Sequence, residues 1–181
     1  MKIIGGDRRG KRLYAPKSRQ LRVTADRIKE SLFDILPPMT GLSFLDLYGG
    51  TGNVGIEALS RGAGKVVFIE KVSLHLQAIR RNLDACRFPS GYVTIRGSVE
   101  RGVLLLEREG EQFDVIFIDP PYDRDLIQPS LLLVAAAKLL KEDGIIAAEH
   151  SVREDVTGNE LFMLRDQRRY GDTMLSFLEN M

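Results

Sequence analysis

Tryptophan is absent from this 181-residue chain, cysteine occurs once, at Cys86, and histidine twice, at His75 and His150. A lone cysteine excludes an internal disulfide framework and makes a reducing compartment the default. Two histidines far apart in sequence, with no cysteine or carboxylate at ligand spacing, give no reason to expect a metal. Long apolar runs are missing too. LLLVAAAKLL at 131–140 is broken by Lys138 and is too short to cross a bilayer, and the stretch from Met1 to Ile4 is too short for a signal-peptide core. A soluble cytoplasmic protein with no membrane partner is the expectation. No repeat or low-complexity segment stands out, and 44% apolar residues suit one globular core with a small appendage.

The charge is unevenly placed. Residues 1–30 carry ten Lys or Arg against three acids, a net +7, whereas the rest of the chain carries 16 basic against 22 acidic residues. A basic arm on a mildly acidic body predicts a polyanion met by one end of the molecule. Arg8, Arg9, Lys11, Arg12, Arg22 and Arg27 are the candidates for phosphate contacts, Arg27 being equally able to pair with Glu30. For Tyr14, packing beneath the arm is expected in preference to stacking on a base.

Patterning predicts a hairpin from KII (2–4) and KRLYA (11–15), then a helix capped by Thr24 that buries Ile28, Leu32, Ile35 and Leu36 and turns Lys29 outward. Pro37 and Pro38 stop it. From residue 43, strands (43–47, 65–70, 92–96, 113–119, 145–149) alternate with helices, the last of them at 125–140. This is the signature of a doubly wound parallel α/β sheet. The end differs, since LFMLRDQRRYG and TMLSFLE read as an antiparallel hairpin at the sheet edge. The expected organisation is a basic extension, 1–40, on an α/β domain, 41–181.

GGTGNVG at 49–55 contains G-x-G-x-x-G, which by itself suggests a nicotinamide dinucleotide. Three features bear on that. Asp46 precedes the loop, and a carboxylate there opposes a diphosphate and favours a cation, such as the sulfonium of S-adenosylmethionine. Glu70 ends the second strand, where it can accept from ribose hydroxyls of either cofactor. The fourth strand ends in Asp119–Pro120–Pro121–Tyr122, for which hydride transfer has no use. Methylation of an amino group does have one. Asp119 and its carbonyl are acceptors for a nitrogen gaining charge, the prolines stiffen the turn, and Tyr122 offers a face for an unstacked base.

LDLYGGTG, IE and DPPY in this order resemble class I S-adenosylmethionine-dependent methyltransferases of amino nitrogens, with a seven-stranded Rossmann-like sheet. KIIGGDRRGKRL, LRVTADRIKESLFDIL, GIEALSRGA and RRYGDTML narrow the resemblance, nearly end to end, to the bacterial 16S rRNA guanine-N2 methyltransferases of the D type. That resemblance implies transfer of one methyl group to the exocyclic N2 of a guanine in 16S rRNA, within the small ribosomal subunit or its assembly intermediate, with S-adenosylhomocysteine as the other product; a monomer is expected. It implies cofactor contacts at Asp46, Tyr48, Gly49, Gly50, Thr51, Gly52, Asn53, Glu70, Ser98 and Val99, and target contacts at Asp119 to Tyr122. Val23 and Lys71 depart from the pattern, standing where Pro and Asp are common. Glu149 and His150 are further candidates for the pocket wall. DPPY alone also permits an amino-methyltransferase acting on DNA or on protein glutamine, and the basic arm permits a non-catalytic RNA-binding assembly factor.

Overall fold

A computed structural model describes residues 1–16, 24–121, 125–157 and 160–181; Arg22, Val23 and Tyr122 lie outside the described residues. The elements in chain order are α1 (Asp26–Ile35), β1 (Ser43–Asp46), α2 (Asn53–Ser60), β2 (Lys65–Glu70), α3 (Ser73–Cys86) and β3 (Tyr92–Arg96). There follow α4 (Val99–Arg108), β4 (Phe113–Ile118), α5 (Ile127–Ala136), β5 (Leu140–Ser151), β6 (Phe162–Tyr170) and β7 (Thr173–Asn180). The seven strands form one sheet of order β3-β2-β1-β4-β5-β7-β6, parallel but for β7, which runs against both its neighbours.

The central strands are apolar on both faces because both faces are covered. Phe44, Phe68 and Phe117 meet α1, α2 and α3 on one side, while Leu45, Ile69 and Ile116 meet α4 and α5 on the other. The chain reverses its winding direction between β1 and β4, so their carboxyl ends frame the crevice in which such sheets bind ligands.

The N-terminal arm belongs to the same apolar cluster, through Ile3 and Leu13 beside Ile28, Leu32, Phe44 and Ile56. Its hairpin is a single bridge, Lys2 to Arg12, reinforced by Ile3 N–H donating to the Lys11 carbonyl. Polar bonds tie it down. The Glu57 carboxylate on α2 accepts from the Ile4 and Gly5 amides at 2.9 and 2.7 Å, and pairs with Lys29 at 3.0 Å and Arg61 at 2.9 Å.

Several expectations are corrected. Lys29 does not face solvent but is fully buried on Glu57, because the arm closes over that side of α1. Thr24 does not cap α1; Ala25 occupies that position without a side-chain bond, and Thr24 is buried with its carbonyl accepting from Asn53. The last helix ends at Ala136, where Lys138 adopts a left-handed conformation, and β5 begins at Leu140, earlier than its apolar run suggests. Lys141, Glu142 and Asp143 interrupt the hydrophobicity without interrupting the strand. The C-terminal hairpin, by contrast, lies at the sheet edge as expected, with β7 beside β5 and β6 outermost.

Candidate active site

Two concavities meet at the carboxyl ends of β1 and β4. The larger is a cleft of about 360 Å³, within the usual range for small-molecule sites. Tyr48 and Gly50, Glu70 to Val72, Ser98 and Val99, and Asp119 to Pro121 line it. A smaller recess on the far side of the loop is lined by Thr24, Asp46, Gly49, Thr51, Asn53 and Phe117. Tyr48, Gly50 and Asp119 border both.

The glycine loop is shaped by two demands that only glycine meets. Gly52 precedes α2 with φ +78°, a left-handed conformation that side chains disfavour. Gly55 packs α2 onto β2 so closely that a Cβ there would stand 2.3 Å from the Phe68 ring. Backbone bonds from Gly49 N–H to the Ile69 carbonyl and from Gly52 N–H to the Gly49 carbonyl hold the turn.

Carboxylates then use the loop amides. Glu70, 8% exposed, accepts from the Gly50 amide at 2.8 Å and from the Val72 amide at 2.7 Å. Asp46 accepts from the Gly55 amide at 3.2 Å. A dinucleotide would need these amides free for pyrophosphate and would find two acids in its place. Each Glu70 oxygen keeps a second lone pair, enough to accept a ribose hydroxyl apiece. Burial pushes Asp46 up to about 7, with the Glu70 charge adding to the rise and the Gly55 bond opposing it. A buried carboxyl poised there gains from a nearby cation. The donor set therefore fits a cationic nucleoside cofactor and does not fit a diphosphate.

Register fixes the remaining geometry. Asp46 lies level with Phe68 on β2 and Phe117 on β4, so Glu70, two residues further along β2, lies on the same sheet face as Asp46, and Asp119 follows directly on the end of β4 at the crevice. Asp119 is half-buried, Pro120 buried and Pro121 exposed. Tyr48 links the loop to α5 through Ser130, its hydroxyl 2.8 Å from the serine oxygen. Ser98 lines the cleft and also caps α4, accepting from Arg101 N–H at 3.4 Å. His75, which the sequence offered no role, borders the cleft with Nδ1 3.8 Å from Glu70.

Other candidates fall elsewhere. His150 is buried away from both concavities, 2.7 Å from the Ser176 hydroxyl and 2.9 Å from the Ser151 carbonyl, and burial lowers its pKa. Glu149 is likewise buried and borders neither cavity. In the arm and at the start of α1, Arg9, Lys11, Arg12 and Arg27 are all exposed. Arg8 is half-buried, its Nε donating to the Cys86 carbonyl at 2.9 Å and its guanidinium lying over Phe88. Tyr14 does not pack beneath the arm: it is 40% exposed, and Arg81 lies over its ring.

Sequence reasoning offered Asn53 only as a cofactor contact and Asn82 not at all, and missed the bonds by which they fasten the loop to the arm. Asn53 accepts from Lys29 Nζ at 2.9 Å and donates to the Thr24 carbonyl at 3.0 Å. Asn82 on α3 donates both to the Tyr14 and to the Thr51 carbonyls. The available signal was an asparagine on the apolar face of a helix, where burial demands partners.

The strand order, the loop and the carboxylates at the strand ends define a Rossmann-like methyltransferase fold. Within that class, the chain belongs to the family described as Conserved hypothetical protein 95, which matches residues 1–179. YlbH of Bacillus subtilis, a putative rRNA methyltransferase, is 34% identical over 176 residues, spanning 96% of this chain and 95% of its own. Ribosomal RNA small subunit methyltransferase D of Haemophilus influenzae is 30% identical over 181 residues, 99% of this chain and 94% of its own. A solved structure, hypothetical protein TTHA0928 of Thermus thermophilus, superimposes with a TM-score of 0.85 at 28% identity, covering 99% of each chain.

Proposed function

We propose that this protein transfers a methyl group from S-adenosylmethionine to the exocyclic N2 amino group of a guanine in 16S rRNA. The observation that supports this reading most is the position of Asp119, which borders both the cleft lined by Glu70 and the recess lined by Asp46. In this reading the cofactor supplies an electrophilic methyl group. Glu70 accepts the ribose hydroxyls, Ser98 and Val99 flank the adenine, and Asp46 with the loop from Tyr48 to Asn53 faces the cationic end.

The target nitrogen is a poor nucleophile because its lone pair is delocalised into the ring. Asp119 and the Asp119 carbonyl hold its N–H groups, draw the lone pair into line with the methyl carbon and stabilise the positive charge that develops. As the new N–C bond forms and the S–C bond breaks, one proton leaves the nitrogen for Asp119 or for water. Pro120 and Pro121 fix this turn, and Tyr122 supplies the stacking face for the base. Residues 1–40 serve as the RNA-facing extension, with Arg9, Lys11, Arg12, Arg22 and Arg27 on phosphates. Arg8 anchors the arm and presents its remaining N–H groups.

The test uses labelled cofactor with separate pools of unmodified small subunits, free rRNA and DNA. Label enters small-subunit RNA and not DNA. Asp119→Ala abolishes that transfer while binding S-adenosylhomocysteine with wild-type affinity. Label in DNA alone, or near-normal turnover by Asp119→Ala, contradicts the reading.

A further inference from the structure

The solvent face of α3 adjoins the arm and carries Arg80 and Arg81, with Arg87 just past its end, all exposed. Arg8 bonds to the Cys86 carbonyl, and Arg8 and Lys11 both lie close enough to Cys86 for their charges to act on its thiol. The exposed cations of the arm, Arg9, Lys11 and Arg12, thus continue into those of α3, with Asp7 and Asp84 the acids among them.

An aromatic platform stands within this surface. The Arg81 guanidinium sits 3.9 Å from the centroid of the Tyr14 ring. The Tyr14 backbone is clamped at both polar atoms by Asn82, its N–H donating at 2.7 Å and its carbonyl accepting at 2.9 Å. Asn82 is 1% exposed, so the clamp is rigid, while Tyr14 remains 40% exposed. The amide nitrogen of Asn82 that holds Tyr14 also holds the Thr51 carbonyl at 3.0 Å, so one side chain separates the platform from the glycine loop. A pre-ordered aromatic ring backed by arginine and flanked by cations matches the chemistry that holds unpaired nucleotides, whose bases stack and whose phosphates take arginine.

We propose that Tyr14 and Arg81 form a stacking platform for an unpaired nucleotide flanking the target, with Arg80 and Arg87 on adjoining phosphates. This rests on the rRNA reading above. The site is held by backbone bonds, so the Tyr14 side chain can be changed without releasing the loop.

Transfer of label by the wild-type protein to unmodified small subunits is measured first, and its failure overturns the rRNA reading itself. With transfer established, Tyr14→Ala and Arg81→Glu each weaken binding of unmodified 16S rRNA about tenfold, whereas Tyr14→Phe stays within about twofold. All three keep wild-type affinity for S-adenosylhomocysteine. Because the chain has no tryptophan, Tyr14→Trp gives a unique reporter, quenched as rRNA is added and restored by salt. Steady fluorescence through saturation overturns the platform. So does rRNA binding by Tyr14→Ala and Arg81→Glu at wild-type strength, or a parallel loss of S-adenosylhomocysteine binding by Tyr14→Ala.

Discussion

Asp46 is where burial and charge compete most directly. With its pKa raised to about 7, it is largely protonated in mildly acidic solution. A raised carboxyl pKa means that the folded state holds the proton more tightly than the unfolded chain. Stability of the free protein therefore falls as pH rises from the ordinary aspartate value through about 7. A cationic ligand reverses this cost by pairing with the ionised form. Affinity for S-adenosylmethionine should accordingly rise between about pH 6 and about pH 8, then level off. Calorimetry across that range checks it, with Asp46→Asn binding more weakly and without this rise. An affinity in the wild type that ignores pH would remove Asp46 from the cationic end of the site.

Elements owe their placement to buried polar bonds as much as to apolar faces. Lys29 and Glu57 are both fully buried, and the pair pins α1 and the arm to α2. Burial lowers the Lys29 pKa, with Glu57 opposing the shift, so the ammonium depends on its partner. Lys29→Ala leaves the buried Glu57 charge with Arg61 and the Ile4 and Gly5 amides, and should cost on the order of 3–5 kcal/mol in urea unfolding. A loss below about 1 kcal/mol would mean that the pair contributes no more than a surface one. Asn82→Ala cuts the bond shared by the arm and the glycine loop. It should raise the KM for the cofactor with a smaller change in kcat, and an unchanged KM would show that the loop holds itself.

These same bonds mark what could be read in advance. Strands β1, β2 and β4 follow from their apolar runs, because a strand covered on both faces must be apolar throughout, and the half-exposed edge strand β3 follows from its β-branched residues. Asp46, Glu70 and Asp119 could be found because a carboxylate ending such a strand is conspicuous. The fastening roles of Lys29, Asn53, Glu57 and Asn82 could not, because the partners through which they tie the arm to the sheet domain lie 24 to 68 residues away along the chain. A lysine or an asparagine on a helix looks the same whether it meets water or a distant carbonyl. The early start of β5 was hidden for the converse reason, three charged residues near its beginning, where the pairing to β4 shifts register.

At the scale of the whole molecule, one end of the sheet gathers the carboxylates while the arm and α3 gather exposed cations. Under the proposed function, an RNA would cross from arm to crevice, attracted by phosphate first and held at one nucleotide last. Reversing Arg9, Lys11 and Arg12 to Glu should lower the salt dependence of rRNA binding by about 0.7 for each phosphate no longer neutralised. A salt slope equal to that of the wild type would place the phosphates elsewhere. Arg8 is the poorer choice for that variant, since its Nε already serves the Cys86 carbonyl.

The nucleoside produced is the most direct test of the central claim. Small subunits lacking the modification are incubated with the protein and S-adenosylmethionine, and their 16S rRNA is digested and read by mass spectrometry. N2-methylguanosine at one position, absent with Asp119→Ala, is the predicted result. Methyl on any other base or atom, or none in 16S rRNA while DNA or protein is methylated, would contradict it.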